Sequence, residues 1–502
     1  MLGKCITLSK LKKDLHSLPN TLDETYNRIL VNIDDAYYDY ALKVLLWLAL
    51  SACPLTLAEV AEVLAINCDS PCPTFDCGER PPEPRDILDA CSSLVTISTS
   101  SITVRKNKDT LKTAPLSLAH LSVKEYLMSE RIKQHGVASR FYLNRKSADT
   151  VISRACLGYL LQFEKPKVWD KQRLREFPLA RYAAKFWLFH ARSEDNTIDD
   201  SVQPLIINLL HPGSGQFLNW VQLFDNDTEW PPSIYYASLF GLEMVTRQLL
   251  RINNAADINM QGGEYGSALH AAAGEGHEGI VRLLLENGAD VNAHSGYYGS
   301  SLQMASKRGH MTIVQLLIDG GADVNGRGGT AVSPLQEVMR RGEENIARQL
   351  IELGADVSAD GGYRESVLHI ALGRNLEGIA QLLIKHGADV NADGGFCGSP
   401  LQVASRRGLE VVVEFLIKNG ADVNAQGAFG ASSLHVAASE GHEGIVRLLV
   451  ENGADVNVEG EFYGVPAQIA SSMGHEAIAR LLSENENSCD RMAIDSHQLP
   501  FL

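Results

Sequence analysis

Five residues, Gly-Ala-Asp-Val-Asn, return every 33 positions through the C-terminal half of this 502-residue chain. They begin at Gly288, Gly321, Gly387, Gly420 and Gly453, and the copy from Gly354 ends in Ser358 instead of asparagine. One period earlier stands a degenerate form, Ala255-Ala256-Asp257-Ile258-Asn259. A fixed period of this length means that one small unit is copied and stacked. A unit so short cannot bury its own apolar face, so neighbours must cover it. The product is a solenoid with an extended concave surface.

The rest of each period predicts two antiparallel helices. Ser267, Ser300, Ser333, Ser366, Ser399 and Ser432 stand where a hydroxyl caps the first helix. Leu269, Leu302, Leu335, Leu368, Leu401 and Leu434 follow as core residues, and small Ala272, Ala305, Ala371, Ala404, Ala437 and Ala470 let inner helices approach. Gly276, Gly309, Gly342, Gly408, Gly441 and Gly474 supply the turn between helices. An Ile-Val-x-x-Leu-Leu stripe marks the second helix, which the glycine of the next Gly-Ala-Asp-Val-Asn closes.

On these residues the chain resembles the ankyrin repeat family over 231–485, as a degenerate cap followed by seven units. The cap is read from Ile234 to Gly241, the last unit ends in Leu481-Leu482-Ser483-Glu484, and 486–502 reads as a frayed tail. The resemblance implies a mainly α fold whose groove binds protein partners.

Between the small alanine and the inter-helix glycine, two positions per unit face that groove. They read Gly274-Glu275, Lys307-Arg308, Arg340-Arg341, Gly373-Arg374, Arg406-Arg407, Ser439-Glu440 and Ser472-Met473. Lys307, Arg308, Arg340, Arg341, Arg374, Arg406 and Arg407 therefore form a basic stripe bracketed by Glu275 and Glu440. Guanidinium forks take carboxylates bidentately, so the expected partner carries an acidic segment. The alternative is a solvated face paired with acidic neighbours such as Glu343 and Glu410. A second ladder, Tyr297, Tyr363, Phe396, Phe429 and Phe462, interrupted by Thr330, falls at the hairpin tips. Its rings are either partner contacts or packing on the next hairpin beside Gly361-Gly362 and Gly394-Gly395.

A net charge of −16 argues against general affinity for nucleic acid or anionic membrane. Nine cysteines without framework spacing fit a reducing compartment, cytoplasm or nucleus. Met1–Lys13 has no apolar leader core, and the apolar run Val44–Cys53 is far shorter than the ~20 residues a span requires. His277-Glu278, His442-Glu443 and His475-Glu476 begin like a zinc-protease helix, but Val281, Val446 and Ala479 replace its second histidine. Cys68, Cys72, Cys77 and Cys91 lack the paired spacing of zinc modules. No catalytic constellation, metal or cofactor is expected, and the oligomeric state is not set by the sequence.

The first 230 residues are not repetitive. Capping boxes at Thr21–Glu24, Thr56–Glu59 and Ser122–Glu125 open helices, with another over about 37–52. A Pro- and Cys-rich stretch, about 67–85, reads as irregular. Leu94–Ile97 and Ile102–Val104 read as a hairpin, followed by a short strand at Leu116–Leu118. The segments 18–30, 54–66, 82–97, 118–132 and 177–192 resemble the region after the ATPase module of fungal NACHT-ankyrin proteins, which are STAND-type, NOD-like receptors. The resemblance implies an end-of-NACHT helical segment at 1–52, a winged-helix-like domain at 53–135 and a helical connector at 136–230. Arg105, Lys106, Lys108 and Lys112 would sit on the wing, which is structural in that family. The phosphate-binding loop is missing: Gly213-Ser-Gly215 has no lysine, so ATPase function is not expected. A non-enzymatic scaffold is the first expectation. The alternatives are a nuclear transcription co-regulator acting through a DNA-binding factor, as for a fungal gene cluster, and a NACHT-receptor remnant in signalling.

Overall fold

The computed structural model describes residues 21–82, 91–97, 115–195, 197–225, 230–252, 257–295, 299–326, 333–358, 366–427, 430–461 and 464–495. They divide into two compact units, Met1–Ala237 with Met244–Asn254, and Ser238–Glu243 with Ala255–Leu502.

The first unit is helical with two small antiparallel strand pairs. Helices α1 (Leu22–Val31) and α3 (Leu57–Leu64) begin at the expected caps: Thr21 accepts from the Glu24 amide, and Thr56 and Glu59 form a reciprocal box. Between them lies α2 (Tyr38–Leu50). The Pro- and Cys-rich stretch is more ordered than expected, since β1 (Ile66–Asn67) pairs with β2 (Thr74–Phe75). Phe75 packs edge-on against Tyr159 at 4.8 Å. Buried Glu62 fixes the same region, accepting from the Tyr159 hydroxyl and pairing with Arg80, each at 2.6 Å.

Strand β3 (Val95–Ile97) pairs with β4 (Leu116–Leu118), Val95 opposite Leu118. The expected strand at 102–104 and the wing cations lie outside the described residues. Helix α4 (Leu121–Leu127) starts one step earlier than its expected cap. His120, in extended backbone, accepts from the Ser122 amide, while Ser122 Oγ meets the Tyr26 hydroxyl at 2.6 Å. An acceptor must precede the first helical residue to reach the free amides, and Ser122 is already inside.

The core continues through α5 (Arg145–Leu161), α6 (Lys171–Glu176), α7 (Ala180–Ala191), α8 (Gln203–Leu209) and α9 (Gly215–Phe224). Trp220 is fully buried and donates its indole N–H to the Ala184 carbonyl at 3.1 Å. Helices α10 (Ser233–Leu239) and α11 (Glu243–Ile252) form the degenerate cap. Tyr236 of α10 packs 5.0 Å from Trp220, which explains why its sequence departs from the repeat: its aromatic face serves the first unit's core.

In the second unit the inner helices are α12 (Ala268–Glu275), α14 (Ser301–Arg308), α16 (Pro334–Arg341), α18 (Val367–Gly373), α20 (Pro400–Arg407), α22 (Ser433–Glu440) and α24 (Pro466–Ser472). Their outer partners are α13 (Glu278–Glu286), α15 (Met311–Asp319), α17 (Glu344–Glu352), α19 (Glu377–Lys385), α21 (Glu410–Lys418), α23 (Glu443–Glu451) and α25 (Glu476–Asp495). The last helix thus runs beyond 485, into the expected tail, because no glycine or proline stops it. All six serines cap as expected. All six inter-helix glycines adopt the left-handed region, five of them as the cap of the inner helix, and Asn375 does the same work at φ 60° in the one unit without a glycine. Asparagine tolerates this conformation better than other non-glycine residues.

Two sets of side chains bind most units to their neighbours. The asparagine of each Gly-Ala-Asp-Val-Asn reaches the next copy. Asn292 accepts from the Asp323 amide at 2.7 Å and donates to the Gly321 carbonyl at 3.3 Å. Asn325, Asn391 and Asn424 repeat the pair. In the second set, the histidine after the inter-helix glycine donates to the preceding unit: His277 to Leu239, His310 to Gly274, His442 to Arg406 and His475 to Ser439, at 3.1–3.3 Å. The would-be metal histidines are therefore structural. Both sets fail at one junction. Ser358 turns back to its own Asp356 at 2.6 Å, and Leu376 replaces the histidine facing Arg340.

Inner-helix residues tie each unit forward as well. The Ser432 amide donates to His435 Nδ1, so His435 Nε2 carries the proton and donates to the Gly464 carbonyl at 2.9 Å. His270 and His369 bond Gly299 and Gly398 in the same way, and Gln303, Gln336, Gln402 and Gln468 occupy the position elsewhere.

Two outcomes are expected. Ser358→Asn restores an exposed two-bond rung and raises the stability of the array by about 1 kcal/mol, measured by urea unfolding. Burial holds His270 and His435 below the ordinary imidazole value of 6.5. The unfolded chain then binds more protons, so their contribution is complete above 6.5 and is lost as pH falls below it. His435→Gln should preserve folding at neutral pH and flatten that acid-side loss in melting curves.

Candidate partner-binding groove

The predicted basic stripe occupies the last turns of four successive inner helices, or the position just after. Cations are favoured there because the last carbonyls leave a partial negative charge. Lys307, Arg308, Arg341, Arg374, Arg406 and Arg407 are exposed and Arg340 is half-buried. Adjacent helices pack about 10 Å apart. At that spacing two exposed cations repel by only about 0.4 kcal/mol in water. Repulsion alone therefore does not require a bound anion.

The seven cations are not equivalent. Arg308 donates to the Tyr265 hydroxyl at 3.1 Å, and that hydroxyl donates to Glu275 at 2.6 Å. Burial, then the bond to Glu275, raises the Tyr265 phenol. One end of the stripe is thus closed by a three-residue chain. Arg341 donates through Nε to the Ser306 carbonyl at 3.1 Å and through its fork to the Lys307 carbonyl. It also lies 3.8 Å from Glu337. The Lys307 carbonyl is the one that a histidine at 343 would take, but Glu343 stands there. Arg341 replaces the missing clamp.

The side chains of Lys307, Arg340, Arg374, Arg406 and Arg407 make no hydrogen bond or ion pair among the described residues, and neither do those of Glu343 and Glu410. The stripe is therefore not neutralised by those acidic neighbours. Of the aromatic ladder, Tyr297, Tyr363, Phe429 and Phe462 lie outside the described residues. Phe396 is 89% exposed, so its ring is not packed on a neighbouring hairpin.

Beside Phe396 lies a pocket of about 270 Å³, which the sequence analysis did not pick out. It is formed between the hairpin Gly395–Cys397 and helices α20, α22 and α24. No grouping of three or more His, Cys, Asp or Glu suited to a metal exists among the described residues. Cys91 is buried, which pushes its thiol up to about 12 and disfavours the thiolate a metal needs. No described helix is long and apolar enough to cross a membrane.

A stack of capped helix pairs, clamped by loop asparagines and presenting an open groove, defines a binding repeat protein. The family profile for ankyrin repeats in three copies matches residues 203–295, 234–328, 302–394 and 401–495, more than half of the chain. The chain belongs to the ankyrin repeat family. The matches begin at 203, upstream of the expected start at 231. It is also similar to the "Azaphilone pigments biosynthesis cluster protein L" of Monascus ruber, 38% identical over 315 residues. That alignment covers 56% of this chain and 64% of the relative, so the chain spans less than two thirds of that protein.

The split within the stripe gives a direct check. Arg341→Ala removes a charge-assisted clamp and should lower stability by about 1–2 kcal/mol in denaturant unfolding. Arg374→Ala and Arg407→Ala should stay within about 0.5 kcal/mol of the parent.

Proposed function

We propose that this protein is an interaction scaffold whose groove holds an acidic segment of a protein partner. The observation that carries this reading is the set of five cations, Lys307, Arg340, Arg374, Arg406 and Arg407, without side-chain partners among the described residues. They cross four consecutive repeats of a strongly acidic chain. Arg308 and Arg341 support the groove from within. A run of carboxylates laid along the stripe would meet several forks at once, and partial desolvation strengthens each pair. The first unit, with its helices and short strand pairs, would be an interaction or dimerisation platform. Its winged-helix and NACHT-derived character belongs to the same proposal.

The relative from Monascus ruber favours one particular setting. Its name places it in a pigment biosynthesis cluster. This chain would then act for such a cluster, either by assembling its proteins or by contacting a DNA-bound factor through an acidic activation segment.

The test is affinity purification from the native host. The parent is compared with a variant in which Lys307, Arg340, Arg374, Arg406 and Arg407 are all changed to Glu. We expect an unchanged melting profile and loss of a partner whose capture by the parent weakens with salt. An unchanged set of partners would overturn the groove reading. Nuclear enrichment of the captured partner would select the regulatory setting.

A further inference from the structure

We propose that the pocket beside Phe396 is an anchor subsite, taking one bulky apolar side chain that neighbours the acidic run of the partner segment. This rests on the acidic-segment reading above and specifies what that segment must carry.

The pocket lies where the basic stripe ends. Arg406 belongs both to the stripe and to the pocket rim, and Glu440 stands on the rim as well. The polar groups of the floor are already satisfied. Gln402 accepts from the Ser399 amide and donates to the Ala431 carbonyl at 2.6 Å. His435 is held between Ser432 and the Gly464 carbonyl. Ser439 donates to the Val436 carbonyl at 2.9 Å. An occupant therefore finds few unpaired donors or acceptors in the floor. What remains open to it is mixed: Ala431, the edges of buried Val436 and Ile469 and the exposed ring of Phe396 stand beside the polar rim of Arg406, Ser439 and Glu440.

A volume of about 270 Å³ suits one large side chain rather than a cofactor. The loop at its edge approaches Gln402 closely through glycine: a Cβ on Gly427 would come within 2.4 Å of that side chain. An aromatic ring left 89% exposed at such a rim gains by being covered, which is how interface anchors act. Charge complementarity selects the occupant. The stripe draws carboxylates up to Arg406, so the apolar residue entering the pocket follows the last of them. Glu440 disfavours a further acidic residue beyond it.

The test uses the full chain and three fluorescein-labelled peptides. One is a Glu/Asp-rich peptide with a single Phe, the second has Ala in place of Phe, and the third keeps Phe but has Gln in place of every acid. The acidic Phe peptide should bind at least about ten-fold more tightly than the Ala peptide by anisotropy. Phe396→Ala, at an exposed ring, should leave the melting profile intact and shrink that preference below about three-fold. Ser439→Phe, which fills the pocket, should shrink it too. Arg374→Glu with Arg407→Glu, outside the pocket lining, should weaken both acidic peptides by one common factor.

Equal binding of the two acidic peptides would overturn the anchor and leave the acidic groove standing. Equal binding of the acidic and Gln Phe peptides would overturn the acidic reading and leave an apolar subsite. Binding of none up to millimolar concentration would overturn both. Self-association of the chain that Phe396→Ala abolishes would overturn the peptide occupant in favour of a second copy.

Discussion

The loop asparagine is the contact on which the array depends. Its carboxamide accepts from the Asp amide and donates to the Gly carbonyl one repeat further on, so one side chain joins two hairpins and fixes their spacing. The aspartate of the same motif closes its own turn, as Asp290 does by accepting from the Asn292 amide. These bonds are exposed, and each adds only about 1 kcal/mol. Their effect lies in repetition. A solenoid is a chain of nearest-neighbour terms, so a small regular contribution at every junction sets both the cooperativity and the alignment of the inner helices.

The stripe itself illustrates how one residue type serves two ends. At the C-termini of α14, α16, α18 and α20 a cation answers the helix dipole, and that alone makes arginine acceptable there. Arg341 goes further and takes the carbonyl left open by the absence of a histidine at 343. Arg308 is drawn toward Tyr265 and Glu275. Arg374, Arg406 and Arg407 have no such work among the described residues. Function is assigned to what remains after the structural demands are met, and here those demands take two of seven cations.

The parts of this fold that were legible from sequence are those decided within a few residues. Serine caps, inter-helix glycines, the Thr21 cap and the Thr56–Glu59 box match the sequence pattern, because each is decided within a few neighbouring residues. His120 is not legible as a cap because histidine rarely serves as one, while the serine two residues on fits the usual pattern. The pairing of Val95–Ile97 with Leu116–Leu118 joins segments some 20 residues apart, beyond what local alternation reveals. The clamps between repeats escaped for the same reason: the 33-residue period announces that Asn292 matters without saying that it reaches Asp323. The signal for Arg341 was present as an exception, Glu343 standing where the period predicts histidine. The pocket by Phe396 had no signal, since its walls come from three repeats and its emptiness depends on what Gln402 and His435 already bond.

The exceptions also cluster in a way that bears on binding. Ser358 removes the asparagine rung, Leu376 removes the histidine clamp, and Asn375 holds a left-handed turn without glycine. The first two act on the junction between the repeat carrying Arg340 and the repeat carrying Arg374, and the third on the turn within the latter. That junction lacks both the asparagine rung and the histidine clamp among the described residues and lies under the middle of the stripe. A ligand bridging Arg340 and Arg374 would cross it and stabilise it by mass action, as any ligand of the folded form does. If the proposed groove holds a partner, its binding and the rigidity of that interface would be linked.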